Sequence, residues 1–241
     1  ITCRDWSSDV CSSDLYGTLY ELDTRLRPDG RKGALVMTLE GFLAYADAGR
    51  LSDAERIALT RARPIAGHEH TCERTMHAIH SQVFRPVETD AERNRLADAI
   101  RSMREKLEAS AGKRDIKRGP GGTIDIEFIC RYMQLREAWI YPKLRRTNTA
   151  ETLDLLARYQ LIQPTVAREL LDSWRFLQTL ENRIRIVQGT SDCSMPADPS
   201  LLDKLARRIG KQWDITGGDA LEARFNDAAH RVRELFNALV V

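Results

Sequence analysis

Apolar and polar residues alternate strictly in one short stretch near the start of the chain, residues 20–27. With a period of two, the alternation predicts an extended strand with one apolar and one charged face. The apolar face carries Tyr20, Leu22, Thr24 and Leu26, and the charged face carries Glu21, Asp23, Arg25 and Arg27. Pro28-Asp29-Gly30 predicts a turn after this strand, and the apolar run 33–38 predicts a second short strand.

From residue 39 onward, apolar residues recur every three or four positions, a period typical of amphipathic helices. Capping boxes at 52–55, 89–92 and 148–151 predict helix starts, as do Pro164 and the pair Asp198-Pro199. The pattern predicts helices over 39–48, 68–84, 124–139, 164–188 and 198–210, together with those that start near 52, 89, 148 and 219. The predicted fold is mainly α, with remnant β-strands first and a helical bundle after them.

Composition and charge narrow the class of protein without indicating an activity. Of the 241 residues, 42% are hydrophobic and 30% are charged, an ordinary balance for a globular protein. The net charge of +2 gives no electrostatic case for nucleic acid binding, and no apolar run approaches the ~18 residues of a membrane span. We therefore expect a protein that binds neither nucleic acid nor membrane. Five cysteines without paired spacing predict reduced thiols, which indicates a cytoplasmic protein.

The first fifteen residues have no apolar period and differ in character from the rest of the chain. They resemble the translation of a sequencing adapter joined to a truncated gene, and they contain no apolar segment of a signal peptide. We therefore expect residues 1–15 to be an artefact and exclude them from predictions of the fold.

The charged face of the first predicted strand is the first candidate for chemistry. A carboxylate at Asp23 between guanidiniums at Arg25 and Arg27 suits a divalent metal and the phosphates that it carries. The alternative is a solvated face whose charges pair with one another, which is common in antiparallel sheets.

A glycine-rich loop before an apolar helix is the second candidate. The basic run 113–118 and the turn 119–122 lead into a helix whose first turn holds Asp125 and Glu127. Two acids that open an otherwise apolar helix are costly to bury unless they serve a site. Phosphate or nucleotide binding is the hypothesis for Lys117, Gly121, Gly122, Asp125 and Glu127. The alternative is a turn followed by carboxylates that stabilise the helix start.

Four segments in order resemble the glutamine synthetase adenylyltransferase family, also called glutamate–ammonia-ligase adenylyltransferases. They are Tyr20–Pro28, Leu59–Pro64, Asp115–Phe128 and Arg175–Arg183. The resemblance implies a nucleotidyltransferase domain of the DNA polymerase β type, here residues 16–112, followed by a helical domain, residues 113–241. It also implies the transfer of AMP from ATP to a tyrosine of glutamine synthetase with Mg²⁺ as cofactor, and the PII signal protein as a further partner.

In this family three carboxylates hold the metal, two of them in an Asp-x-Asp pair, and the resemblance assigns the third to Asp23. Arg25 or Arg27 would contact phosphates. The 241 residues contain no Asp-x-Asp pair, so we expect a fragment that is inactive alone.

Three functions stay open. Asp125 resembles the adenylylating half of the family, because the half that removes AMP by phosphorolysis tends to carry Arg-Glu-Ile-Glu-Phe in this segment instead. The other two are that deadenylylating half and a helical module that binds glutamine synthetase or PII without chemistry.

Overall fold

The computed structural model describes residues 24, 27–112, 114–189 and 193–241, without the Arg31 side chain. Within these ranges the chain forms nine α-helices and two short 3-10 helices, Gly30–Lys32 and Pro142–Leu144. The α-helices are α1 (Leu39–Asp47), α2 (Asp53–Leu59), α3 (Glu69–Val83), α4 (Asp90–Ala109), α5 (Thr123–Glu137), α6 (Thr149–Arg158), α7 (Pro164–Gln188), α8 (Pro199–Trp213) and α9 (Gly218–Leu239). The chain divides into two compact units, Ile1–Glu55 and Arg56–Val241. The domain boundary predicted after residue 112 falls inside the second unit.

The second predicted strand is wrong. Residues 33–38 have no regular secondary structure, and Leu35 and Val36 are 52% and 78% exposed. A strand needs a neighbouring strand to pair its backbone N–H and carbonyl groups, and no β-bridge joins this segment to another described residue. The first predicted strand lies outside the described residues apart from Thr24 and Arg27. The single β-bridge in the described ranges joins Asp115 to Ser194.

The first unit confirms one predicted capping box. The Ser52 N–H donates to Glu55 Oε2 (2.9 Å), and the Glu55 N–H donates to Ser52 Oγ (3.3 Å). The hydroxyl of Tyr45 on α1 donates to the other oxygen of the same glutamate, at 2.9 Å from Oε1. One carboxylate therefore closes the start of α2 and ties it to α1.

The second unit is built around α5, which packs against α4, α6, α7 and α9. Buried residues lie on all sides of this helix, as its apolar sequence predicts: Ile126, Phe128, Ile129, Tyr132, Met133 and Leu135 are each at most 2% exposed. Each such side chain contributes about 1.5–3 kcal/mol on burial. The surrounding helices are amphipathic and bury one face each.

Helix starts follow the predicted caps closely. Thr89 and Glu92 form a reciprocal capping box at α4, and Asn148 caps α6. Pro164 opens α7 and Asp198 caps α8, which runs three residues past the Gly210 where we expected its end. Among the described residues, no helix combines the length and apolar character needed to cross a membrane.

Candidate functional site

The N-terminus of α5 is closed by backbone carbonyls of the preceding loop. The N–H of Thr123 donates to the Ile116 carbonyl (3.1 Å), and the N–H of Ile124 donates to the Lys117 carbonyl (3.1 Å). A helix N-terminus binds phosphate through N–H groups that have no acceptor inside the protein. A phosphate at this helix end would therefore have to displace both carbonyls.

The two glycines before α5 allow backbones to approach closely. Gly121 has a φ of 71°, and a Cβ there would lie 1.8 Å from the carbonyl oxygen of Ala229 on α9. A Cβ on Gly122 would lie 2.6 Å from the carbonyl oxygens of Ile116 and Lys117. Both positions exclude any side chain, because the contacted atoms are backbone atoms that cannot rotate away. The glycine loop is thus packed between the start of α5 and α9.

Asp125 is buried between two hydrogen-bond donors and a further cation. Its Oδ1 accepts from Arg104 Nε (2.8 Å), and its Oδ2 accepts from the Gly121 N–H (2.9 Å). Arg233 Nε lies 3.0 Å from Oδ2 as an ion pair. The side chain is 1% exposed. Burial raises the pKa of the Asp125 carboxyl above its usual value, and the hydrogen bond and charge of Arg104 offset part of that rise.

A second carboxylate completes a charge cluster of Arg104, Glu108, Asp125 and Arg233, in which Arg104 and Asp125 are buried and the other two are partly exposed. Glu108 pairs with Arg104 one turn earlier on α4 and with Arg233 Nη2, 3.2 Å away on α9. Both guanidiniums lie 6.0 Å from the ring centroid of Phe236. The cluster joins α4, α5 and α9 and has no net formal charge, which makes its burial tolerable.

Glu127 lies in a different environment although it is only two residues further on. Residues two apart on a helix do not share a face, and Glu127 pairs instead with Arg61 (3.0 Å) and Arg131 (3.1 Å). Its side chain is 17% exposed and that of Arg61 is 43% exposed. The structure therefore separates Asp125 from Glu127.

Burial raises the pKa of the neighbouring Cys130 thiol to about 12, which leaves no thiolate for nucleophilic chemistry.

The other predicted site residues are dispersed. Lys117 has an exposed side chain, and its N–H donates to Asp115 Oδ1 (2.8 Å). In the first unit, Arg27 Nε donates to the Gly33 carbonyl (3.2 Å). Asp23 and Arg25 lie outside the described residues, so their roles stay predictions.

A metal site is not formed by the part of the chain that the structure describes. There, no group of three or more His, Cys, Asp or Glu side chains is placed to hold an ion. The described residues therefore provide no Mg²⁺ site, and no reaction step is assigned to a metal held by them.

Arg104 and Arg233 were not predicted to contact Asp125. Each stands within a buried stripe, Arg104 four residues after Ile100 and Arg233 three before Phe236. An arginine inside an apolar stripe together with an acid in an apolar helix could have indicated a buried pair. Arg104 and Arg233 are 21 and 108 residues away from Asp125 along the chain, so local sequence patterns could not predict these contacts.

Two family models match the chain. The model described as glutamate-ammonia ligase adenylyltransferase matches residues 11–78, and the model described as GlnD PII-uridylyltransferase matches residues 90–240. The second match covers the four residues of the charge cluster and most of the helical unit. Both descriptions name nucleotidyl transfer to a protein of nitrogen metabolism.

Curated proteins with similar sequences are enzymes that adenylylate glutamine synthetase. A bifunctional glutamine synthetase adenylyltransferase/adenylyl-removing enzyme of Xanthobacter autotrophicus is 32% identical over 93% of this chain and 22% of its own length. The enzyme of the same name from Bradyrhizobium diazoefficiens is 33% identical over 93% of this chain and 22% of its own length. The one from Streptomyces avermitilis is 32% identical over 85% of this chain and 20% of its own length. The chain belongs to this glutamine synthetase adenylyltransferase family, and it spans about a fifth of the length of these relatives.

Replacing Gly121 by alanine should destabilise the chain far more than the same change at Gly189. Both glycines have positive φ, 71° and 64°, but nothing lies within 4 Å of a Cβ at Gly189. We expect Gly189→Ala to cost about 1 kcal/mol and Gly121→Ala at least about 3 kcal/mol, measured by urea unfolding. Equal costs would contradict the close packing of Gly121 on Ala229.

Neutralising Asp125 and neutralising Glu127 on α5 should lower the free energy of unfolding by unequal amounts. Asp125→Asn leaves the buried Arg104 and the partly exposed Arg233 with Glu108 as the one carboxylate of the cluster, and we expect it to lower the free energy of unfolding by about 3–5 kcal/mol. Glu127→Gln changes a partly exposed pair and should cost about 1 kcal/mol or less. Urea midpoints of both variants at neutral pH test this, and a Glu127→Gln loss as large as that of Asp125→Asn would refute it.

Proposed function

We propose that the chain is part of an enzyme that transfers AMP from ATP to a tyrosine of glutamine synthetase and thereby regulates nitrogen assimilation. The observation that carries the proposal is the 31–33% identity, over most of the chain, to enzymes named as glutamine synthetase adenylyltransferases and adenylyl-removing enzymes. In the reaction, the tyrosine oxygen bonds to the α-phosphorus of ATP. The bond from that phosphorus to the bridging oxygen breaks, pyrophosphate leaves, and the hydroxyl proton is released. The compartment proposed for it is the cytoplasm.

We assign the chemistry of this chain to the segment around Asp23. The proposed roles are metal ligand for Asp23 and phosphate contacts for Arg25 and Arg27, with Mg²⁺ supplying charge neutralisation of the phosphates when bound. Two further carboxylates are needed for such a site, and the sequence lacks an Asp-x-Asp pair to supply them. The chain alone is therefore proposed to be inactive.

The helical unit is assigned a supporting role in this proposal. Asp125, Gly121 and Gly122 face other parts of the chain through short backbone and ion-pair contacts, which favours packing over nucleotide binding. Of the residues predicted here, Lys117 is exposed, and Glu127 is 17% exposed beside the more exposed Arg61. A nucleotide contact is therefore kept for Glu127 and for the exposed Lys117.

Two alternatives have specific support. The relatives carry both the adenylylating and the adenylyl-removing activity in their names, so the chain could belong to either half. The other alternative is a helical module that binds glutamine synthetase or PII without chemistry; what supports its PII partner is the match of residues 90–240 to a model whose description names PII.

An activity test uses the chain alone and a chimera in which it replaces the matched segment of the Xanthobacter autotrophicus relative. With labelled ATP and glutamine synthetase, we expect AMP transfer by the chimera and none by residues 16–241. Asp23→Asn in the chimera should abolish transfer. Asp29→Asn, which suits the left-handed backbone at that turn (φ 61°), should leave transfer intact.

Turnover by residues 16–241 alone would refute the proposed inactivity. Normal transfer by the Asp23→Asn chimera would refute the metal role. A chimera that removes AMP in the presence of phosphate but does not add it would identify the deadenylylating half.

A further inference from the structure

Two arginines pair with one carboxylate oxygen near the start of α5. Arg61 Nη1 and Arg131 Nη2 both donate to Glu127 Oε2, at 3.0 and 3.1 Å. We call these three residues the double-arginine cluster. Within the described ranges neither arginine has a further ion pair or side-chain hydrogen bond, and Arg131 Nε is buried without an acceptor. Most N–H groups of the two guanidiniums therefore have no acceptor in the part of the protein that the structure describes.

Both guanidiniums are attached to a fixed framework. Arg61 comes two residues after α2, and the buried Arg56 holds the end of α2, because its Nη2 donates to the Val83 carbonyl (3.0 Å) at the end of α3. Arg131 lies on the buried helix α5, with its guanidinium 5.2 Å from the ring centroid of Phe128. The two cations are therefore supported by packed helices.

The double-arginine cluster contains one more guanidinium than carboxylate. The charge cluster at Asp125 has two carboxylates for its two arginines, and Arg231 pairs with two glutamates. Burial lowers the pKa of the Arg131 guanidinium, the Glu127 carboxylate opposes that fall, and the charge of Arg61 adds to it. An anion beside the two guanidiniums would balance this charge and favour their charged forms.

The two arginines also differ from isolated cations on the surface. Arg61 is 43% exposed and Arg131 is 19% exposed, so a ligand can approach the pair from solvent. A surface arginine without a partner loses its side-chain freedom when it binds a ligand. Here the ion pairs with Glu127 already hold both guanidiniums, which lowers that cost.

The chemistry of the pair favours a phosphoryl group over a carboxylate. The N–H groups at one edge of a guanidinium match two oxygens of either anion. A carboxylate has only those two oxygens and is matched by a single arginine. A phosphoryl group has three acceptor oxygens and about two negative charges at neutral pH, so two guanidiniums can share it.

The double-arginine cluster also joins the two parts of the chain that separate family models match. Arg61 lies within residues 11–78, and Glu127 and Arg131 lie within residues 90–240. A ligand held by both arginines would contact both parts of the chain at once.

We propose that Arg61 and Arg131 together bind a phosphoryl group and that Glu127 is the positioning residue that holds them. This inference rests on the proposed function and deepens it, because the nucleotide contact kept for Glu127 is then made by the two arginines that it pairs with. In AMP transfer the phosphoryl group belongs to ATP. In the deadenylylating alternative it is the free phosphate that the reaction consumes.

The test measures binding of ATP, orthophosphate and acetate to the 241-residue chain by calorimetry. EDTA is present, so that no ligand is held through Mg²⁺. We expect Arg61→Gln to weaken binding of the phosphoryl ligand about tenfold, because a charge-assisted contact is lost. Arg63→Gln removes an exposed charge two residues away and should change the Kd less than about twofold. Acetate should bind at least about tenfold more weakly than the phosphoryl ligand.

A further pair of variants separates geometry from charge. Arg61→Lys keeps the charge without the planar fork and should weaken binding about threefold. Glu127→Asp keeps the charge of the positioning residue on a shorter side chain, which reaches the two guanidiniums less well, and should also weaken binding about threefold. Circular dichroism of each variant checks that the helices are retained, so that a change in Kd does not report unfolding.

Absence of phosphoryl binding, equal Kd values for Arg61→Gln and Arg63→Gln, or acetate binding as tight as that of phosphate would each overturn the phosphoryl site. An unchanged Kd in Glu127→Asp would overturn the positioning role. Tighter binding of ATP than of orthophosphate supports the nucleotide as the source, and the reverse order supports free phosphate. If the chimera transfers no AMP but the chain shows these effects on binding, the proposed function fails and the phosphoryl site stands.

Discussion

The helical unit depends on a carboxylate that is removed from water. Asp125 is 1% exposed, and a charge so placed is tolerated only when fixed donors replace its hydration. Arg104 from α4 and the Gly121 N–H provide those donors, and Arg233 from α9 adds a positive charge as an ion pair. Because each comes from a different part of the chain, satisfying one side chain fixes the relative positions of α4, α5 and α9. The glycine loop is held by the same contacts.

These contacts change the interpretation of the segment Gly121–Glu127. In sequence it combines a flexible turn, two acids and a helix start, which together suggest an anion site. In the structure the first helical N–H groups have carbonyl acceptors, the glycines touch backbone, and the two acids point to different partners. The run joins helices, while Glu127 with Arg61 remains accessible at the surface. The described part of this run therefore gives no support to an anion site at the helix start.

Local patterns predicted the helices well, because a cap or a proline acts within a few residues of where it stands. Ser52, Thr89 and Pro164 each mark a helix start that the structure confirms. The strand predicted at 33–38 failed because pairing depends on a neighbour, which no local pattern supplies. The partners of Asp125 were missed for the same reason: Arg233 is 108 residues away. Asp23 lies outside the described residues, and its role stays a prediction.

Asp125 and Arg233 stabilise the fold through each other and not independently. A double-mutant cycle of Asp125→Asn and Arg233→Met, followed by urea unfolding of the 241-residue chain, measures this directly. We predict a coupling free energy of about 1 kcal/mol or more, because the loss of Arg233 removes a counter-charge from the buried Asp125 and costs less once Asp125 is neutral. Additive effects, with a coupling below about 0.5 kcal/mol, would show that the pair does not hold the helices together.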